Sequence, residues 1–181
     1  RFIIIGNYDE ATIRPLICQY LGALPSKGIN PPSKRDRKPV TGQVENIFER
    51  KMETPKASAY MIWHNENIPY TLEKSIQMDM ACRVLDMIYL RKIREDASAA
   101  YSVSAGGKLR RLGNKAVAIV QGYCPMDPEK ADLAVKLLAE GMKDNTVKMD
   151  ADKVQKVKDL MLKNADLAAK NNGYWMGILD D

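Results

Sequence analysis

The stretch from Leu72 to Asp96 is the strongest amphipathic pattern of the chain, and it runs almost directly into a strand-like segment at Tyr101. Leu72, Ile76, Met80, Val84, Met87 or Ile88, and Ile93 recur at helical spacing on one face, while Lys74, Asp79, Arg83 and Asp86 take the other. A helix with one long apolar stripe has to lie on an apolar surface, and the segments around it supply one. Lys56 to His64 alternates Ala57, Ala59, Met61 and Trp63 against Ser58, Tyr60, Ile62 and His64, the period of a half-buried strand. Tyr101 to Ala105 and Ala116 to Gln121 read as a hairpin pair around a loop from Gly106 to Gly113.

The remaining elements follow from local signals. Phe2 to Ile5 is a short apolar run stopped by Gly6-Asn7, and it reads as a central strand; Gln43 to Arg50 reads as another. Asp9 can cap a helix carrying Ile13, Leu16, Ile17, Tyr20, Leu21 and Leu24, bent by Pro15 and ended by Leu24-Pro25. Asp127-Pro128-Glu129 opens a helix with Leu133, Leu137 and Leu138, and Asp150 opens one with Val154, Val157, Leu160 and Met161. Asn171-Asn172-Gly173 stops that last helix, and Tyr174-Trp175-Met176 begins a further piece. The order predicts an α+β fold: two layers, a mostly antiparallel sheet with helices packed on one face, and residues 1–181 in one domain. Phe2–Gly6, Lys56–Trp63, Tyr101–Ala105 and Ala116–Gln121 are expected in one sheet. The chain begins in a strand-like run without an initiator Met, and it is read as cut from a longer protein.

Composition narrows the chemistry. The 28 basic and 23 acidic side chains give a net charge of +5, which permits an anionic partner without requiring one. Residues 25 to 39 concentrate Pro, Lys and Arg, but no aromatic residues interleave for base stacking, so a solvated loop is expected over a nucleic-acid surface. Cys18, Cys82 and Cys124 are far apart, and each sits in an apolar pattern, which predicts buried free thiols rather than a disulfide frame or a zinc ribbon. His64 is the one histidine and is expected at a strand end facing water. A zinc site of the two-histidine helical kind cannot be made from it. Nucleophile-elbow, phosphate-loop and C-x-x-C patterns are absent from the sequence, and no apolar run reaches membrane-spanning length. Glu95-Asp96 lies at a helix C-terminal end, where pairing with Arg91 or Lys92 is its expected role.

Arg94 and Tyr101 are different in kind, because they place a fixed cation and a phenol beside a strand. Such groups suit an extended peptide, whose backbone can pair with the strand while Arg94 and Tyr101 donate to a carbonyl or oxyanion. Arg94-Glu95 followed by Tyr101-Ser102-Val103-Ser104 resembles the substrate-contacting turn in the C-terminal half of the insulinase/pitrilysin (inverzincin) family of zinc peptidases. The separation of Arg94 and Tyr101, 101 − 94 = 7, is that of the family pair. Phe2-Ile3-Ile4-Ile5-Gly6-Asn7, then Ile13-Arg14-Pro15-Leu16-Ile17 and Tyr20-Leu21-Gly22-Ala23-Leu24-Pro25, is similar to a second family signature, and the two stand in the right order. One residue departs: Ser98 stands where the family usually has Gly, followed by Ala99-Ala100. If that Gly takes a positive φ, Ser98 has either to accept strain or to turn differently.

The resemblance implies a non-catalytic domain from the C-terminal half of a larger peptidase. In that family zinc is held through H-x-x-E-H and a distal Glu in the first domain of the N-terminal half, and the last domain reaches across with its Arg and Tyr. Carried onto this chain, Arg94 would hold a substrate carbonyl and Tyr101 would donate to the tetrahedral oxyanion, with Ser102 and Val103 also in the substrate-binding strand. The implied partners are the zinc-binding N-terminal half, in the same protein or in a partner subunit, and peptide substrates; the chain itself would hold no zinc and hydrolyse nothing alone. Two alternatives stand beside this reading: a core or regulatory subunit of the same family, and a basic nucleic-acid-binding module. Family habit leans to a bacterial periplasm or cell envelope, with the cytoplasm as the other option.

Overall fold

The computed structural model describes residues 2–25, 28, 40–112, 115–147 and 149–180. Most of the basic loop expected at 25–39, with its Lys34–Lys38 charge run, and Gly113 lie outside them. The chain divides into two compact units. One comprises residues 1–44 and 168–180, the other residues 45–167.

The larger unit holds the sheet. β1 (Ala57–Pro69), β2 (Ser104–Leu112) and β3 (Lys115–Met126) form a three-stranded antiparallel sheet in the order β1-β3-β2. α2 (Leu72–Tyr89) begins at an N-cap in which Thr71 accepts from the Lys74 amide, and it continues without a break into a π-helical turn at Leu90–Asp96. α3 (Ala131–Val147) follows a single 3-10 turn at Pro128–Lys130, capped by Asp127. α4 (Ala151–Ala168) starts at Asp150, whose carboxylate accepts from the Asp152 amide at 2.9 Å. The Lys153 ammonium beside that carboxylate holds its pKa below the usual range.

Alternation along the strands decides which face is buried. Ala57, Ala59 and Met61 of β1 and Val120, Cys124 and Met126 of β3 turn to the core, where they meet Leu85, Tyr89 and Ile93 and, from α3, Ala134 and Leu138. Tyr89 is the largest side chain buried there. Its hydroxyl donates to the Leu138 carbonyl at 2.8 Å, and burial pushes its phenol pKa up. The ring fits because two neighbours have no side chain. A Cβ at Gly141 of α3 would stand 2.6 Å from Tyr89 Cε1, and one at Gly122 of β3 would stand 3.0 Å from Cε2.

The two-layer α+β expectation holds, with several strands redrawn. Phe2–Ile5 and Gln43–Arg50 are not strands. A short apolar run does not become a strand without a neighbour to pair with, and the Gln43–Arg50 residues are all exposed. Ser104 and Ala105 open β2, but Tyr101 to Val103 precede it, with one isolated bridge from Ala100 to Met126. The expected loop from Gly106 is strand up to Leu112. Gly107 marks close approach rather than a turn, since a Cβ there would meet Ile119 O at 2.3 Å and Cys82 Sγ at 2.8 Å. His64 lies within β1, half-buried opposite Ile119, not at a strand end facing water.

The smaller unit contains α1 (Glu10–Tyr20) and α5 (Asn172–Asp180). Asp9 caps α1 as expected, accepting from the Thr12 hydroxyl at 2.7 Å and the Thr12 amide at 2.8 Å; these bonds lower its pKa. Pro15 lies inside the helix. Asn171 accepts from the Gly173 amide at the start of α5, and Trp175 Nε1 donates to the Ala169 carbonyl.

Gly141→Ala is the direct test of the Tyr89 packing. At an open helical site this change would stabilise by up to about 1 kcal/mol. Here the methyl meets the Tyr89 ring, so we expect a net loss of about 1–3 kcal/mol in denaturant unfolding. An unchanged or raised midpoint would contradict the packing account.

Candidate functional site

The segment from Leu90 to Val103 is shaped by three backbone features. The π-helical turn closes with the Ala97 amide on the Lys92 carbonyl at 3.2 Å, five residues back. Ser98 then takes a left-handed conformation, φ +46°, and the Ala99 amide donates to the Ile93 carbonyl at 2.8 Å. That is the glycine position of a helix C-terminal motif, occupied by a residue with a Cβ. Of the two outcomes open to Ser98 the structure shows the strained one, at a cost of about 1–2 kcal/mol. Third, Lys130 Nζ donates to the Ser98 carbonyl at 2.7 Å from the 3-10 turn.

Buried anchors hold the ends of this segment. Ile93 and Ala99 are inside the core, and Val103 is 9% exposed within it. Asp86 of α2 accepts from the Ala105 amide at 2.8 Å, which pins the start of β2 to the helix. Between the anchors Ala97 and Ala100 pack against the core, and the polar side chains of Arg94, Ser98, Tyr101 and Ser102 are exposed. Arg94 is exposed, and among the described residues no carboxylate pairs with it. Arg91 and Asp96 approach to 3.9 Å, whereas Lys92 pairs with Asp144 of α3. Tyr101 is 92% exposed and Ser102 is exposed. Both Arg94 and Tyr101 thus keep all their donors available, on a backbone fixed on either side. Val103 can offer a ligand only its backbone, because its side chain is committed to packing.

Asp86 and Lys130 were not legible as parts of this segment. Asp86 reads as one more polar residue on a helix face, and Lys130 as a charge after a helix cap. Only the tertiary arrangement brings either to the turn.

Among the described residues no group of three or more His, Cys, Asp or Glu stands where it could hold a metal ion. His64 belongs to no such group, and the thiols do not help. Cys82 and Cys124 are buried as expected, and burial pushes both pKa values up, that of Cys82 to about 11 with help from nearby Asp79. A thiol so disfavoured as thiolate is a poor ligand and nucleophile at neutral pH. Cys18 is exposed instead of buried, on a helix that fully buries none of its residues. It lines a shallow depression of about 280 Å³ with Tyr8, Glu10, Ile13, Arg14 and Ile17. Among the described residues no helix is long and apolar enough to cross a membrane.

Residues 1–161 match the family described as the peptidase M16 inactive domain. Two solved structures share the fold. The ferredoxin protease FusC, solved as a mutant in complex with Arabidopsis ferredoxin, is 15% identical with a TM-score of 0.60, over 90% of this chain and 17% of that one. A conserved protein from Enterococcus faecalis is 18% identical with a TM-score of 0.58, over 94% of this chain and 39% of that one. The chain thus spans well under half the length of either. No curated protein matches it.

Relief of the strain at Ser98 is measurable. Ser98→Gly should raise stability by about 0.5–1 kcal/mol, because glycine takes a positive φ without a Cβ clash. Ser98→Val should lower it by more than that, being β-branched. Denaturant midpoints of the two variants check both, and a neutral Ser98→Val would show that the turn is not held left-handed.

Proposed function

Because the chain belongs to the peptidase M16 family, matching the inactive domain of that family over most of its length, we propose that it is the substrate-binding domain of a metallopeptidase whose hydrolytic centre lies in another domain. The observation that carries this reading is the exposed Arg94 and Tyr101 on a strained, anchored turn. A phenol that is 92% exposed contributes little to folding where it stands. Strained backbone held in place by surrounding structure is characteristic of sites where geometry matters.

In this reading the donors act on an extended peptide. Arg94 binds a backbone carbonyl near the scissile bond, charge to dipole, in the ground state. Tyr101 donates its hydroxyl proton in a hydrogen bond to the carbonyl oxygen as that oxygen gains charge. The amides and carbonyls of Ser102 and Val103 pair with the peptide backbone, as added strands do. Among the described residues no group fits zinc; in this reading the metal that the family uses is held by the N-terminal half, in the same protein or in a partner subunit. A core or regulatory subunit of the same family is the second reading. It is favoured by the match to a domain described as inactive.

Steady-state kinetics of the full-length protein, or of the complex with its partner, separate the two. Tyr101→Phe should lower kcat by about 10²–10³ with little change in KM, the usual effect of losing one donor to a developing oxyanion. Arg94→Ala should impair both constants, since its cation also holds bound substrate. Both variants should melt as the wild type does, because both side chains are exposed. Unchanged kcat/KM in both variants of a zinc-loaded enzyme would defeat the proposal. The isolated chain, purified without an affinity tag, should carry no stoichiometric zinc by elemental analysis and should not cleave a quenched peptide.

A further inference from the structure

The sheet has a second face that the core does not use. Helices α2 and α3 pack on one side, and the register sets out what stands on the other. Tyr60 of β1 is opposite Tyr123 of β3, and the rings stack at 4.5 Å between centroids. Ile62 lies one row further along β1, and Ile119 one row beyond that on β3. β2 contributes Lys108 opposite Ile119 and Arg110 opposite Val117. Tyr60 and Ile62 are 67% and 60% exposed, a large apolar area to leave in water on adjacent rows of one strand. Among the described residues no carboxylate pairs with Lys108 or Arg110, and no Asp or Glu occupies this face in the rows from Ser58 to His64; the first acid along β1 is the exposed Glu66, in the bulge that faces Val117 in the row of Arg110. Gly106 leaves the surface low between them, since a Cβ there would meet nothing within 4 Å.

We propose that this outer face is a peptide subsite selecting an apolar, preferably aromatic, side chain followed by carboxylates. The occupant follows from charge and spacing. The aromatic pair offers a platform for a ring, and beyond it along β2 lie Lys108 and Arg110, neither paired with a carboxylate among the described residues. Rows on one face are two residues apart, about 7 Å along the strands. Lys108 therefore lies two rows, and Arg110 three rows, from the Tyr60–Tyr123 stack. A peptide in extended conformation lying along the strands repeats with the same rise. Its ring and its carboxylates should then stand four and six residues apart, all on one side. This inference deepens the reading of the chain as a peptide-binding domain by naming the sequence class that it binds.

The test is fluorescence anisotropy of the full-length protein at low salt, with labelled extended peptides carrying Phe at one position and Glu four and six residues later. The control peptide has Lys at those two positions. We expect the acidic peptide to bind about fivefold or more tightly, the scale of two exposed ion pairs. Lys108→Gln with Arg110→Gln should abolish the preference, and Lys108→Glu with Arg110→Glu should invert it. Tyr60→Ala should weaken both peptides alike. Equal affinities for the two peptides, or a preference surviving the charge-reversed pair, would overturn the proposal. So would displacement of the acidic peptide by a single-stranded oligonucleotide that binds more tightly through the same two cations, which would assign the face to nucleic acid. Since the assay reads binding alone, the preference should persist in Tyr101→Phe, and failure of the Tyr101 reading would leave it standing.

Discussion

The larger unit is organised around one side chain. Tyr89 ends α2 and is fully buried, with its ring between β3 and α3 and its hydroxyl on the Leu138 carbonyl. A buried hydroxyl without a partner would cost about 1–3 kcal/mol, so the ring is fixed along its length as well as across it. The helix to which it belongs then has one available position over the sheet. The π-helical turn follows at the next residue, and the reversal at Ser98 follows that. Where Arg94 and Tyr101 emerge is thus set by a contact between three elements. The two glycines that admit the ring, Gly122 and Gly141, lie far from both in the sequence.

This distinction explains what could be read from the sequence. Capping is local chemistry, and Asp9, Asp127 and Asp150 each open the element that they were expected to open. The pattern from Leu72 to Asp96 is long enough to average out exceptions, and it became α2 with its π-helical continuation. Strands were harder, because a strand is a relation between segments. Phe2–Ile5 has the composition of one and no ladder. Gly106 and Gly107 have the composition of a turn and lie in β2, since Gly107 answers to Cys82 and Ile119 on other elements. Cys18 and His64 were misplaced for the same reason: each sits in a pattern that fixes the element but not its neighbour.

Legibility of the candidate site was likewise divided. Arg94 and Tyr101 could be singled out, and so could Ser98 as the residue in a glycine's place, though whether it would accept strain or turn differently could not. That Val103 is an anchor, with only its main chain free, could not be seen. It depends on which side of the segment meets Ala99, Cys124 and Met126 in the core. Asp86 and Lys130 are legible only once α2 and the 3-10 turn are in place around β2 and Ser98.

The proposed division between a domain that bears donors and one that bears the metal has a physical logic. An oxyanion donor helps only if it is held where charge develops, and a hydrolytic centre helps only if the peptide is held against it. Putting both on one domain would need a deep, polar, water-filled cleft through a small core. Dividing them allows each domain to keep a dry interior and to present its groups from a surface turn. The larger unit follows that economy: its core is apolar, and its candidate donors lie outside it on a backbone tied down by Ile93, Ala99 and Val103. The outer sheet face extends the same arrangement. With α2 and α3 on one side, the other is free to carry rings and cations at the fixed spacing of a β-ladder. A peptide laid along it would be read by register, residue against residue, and not by the shape of a pocket.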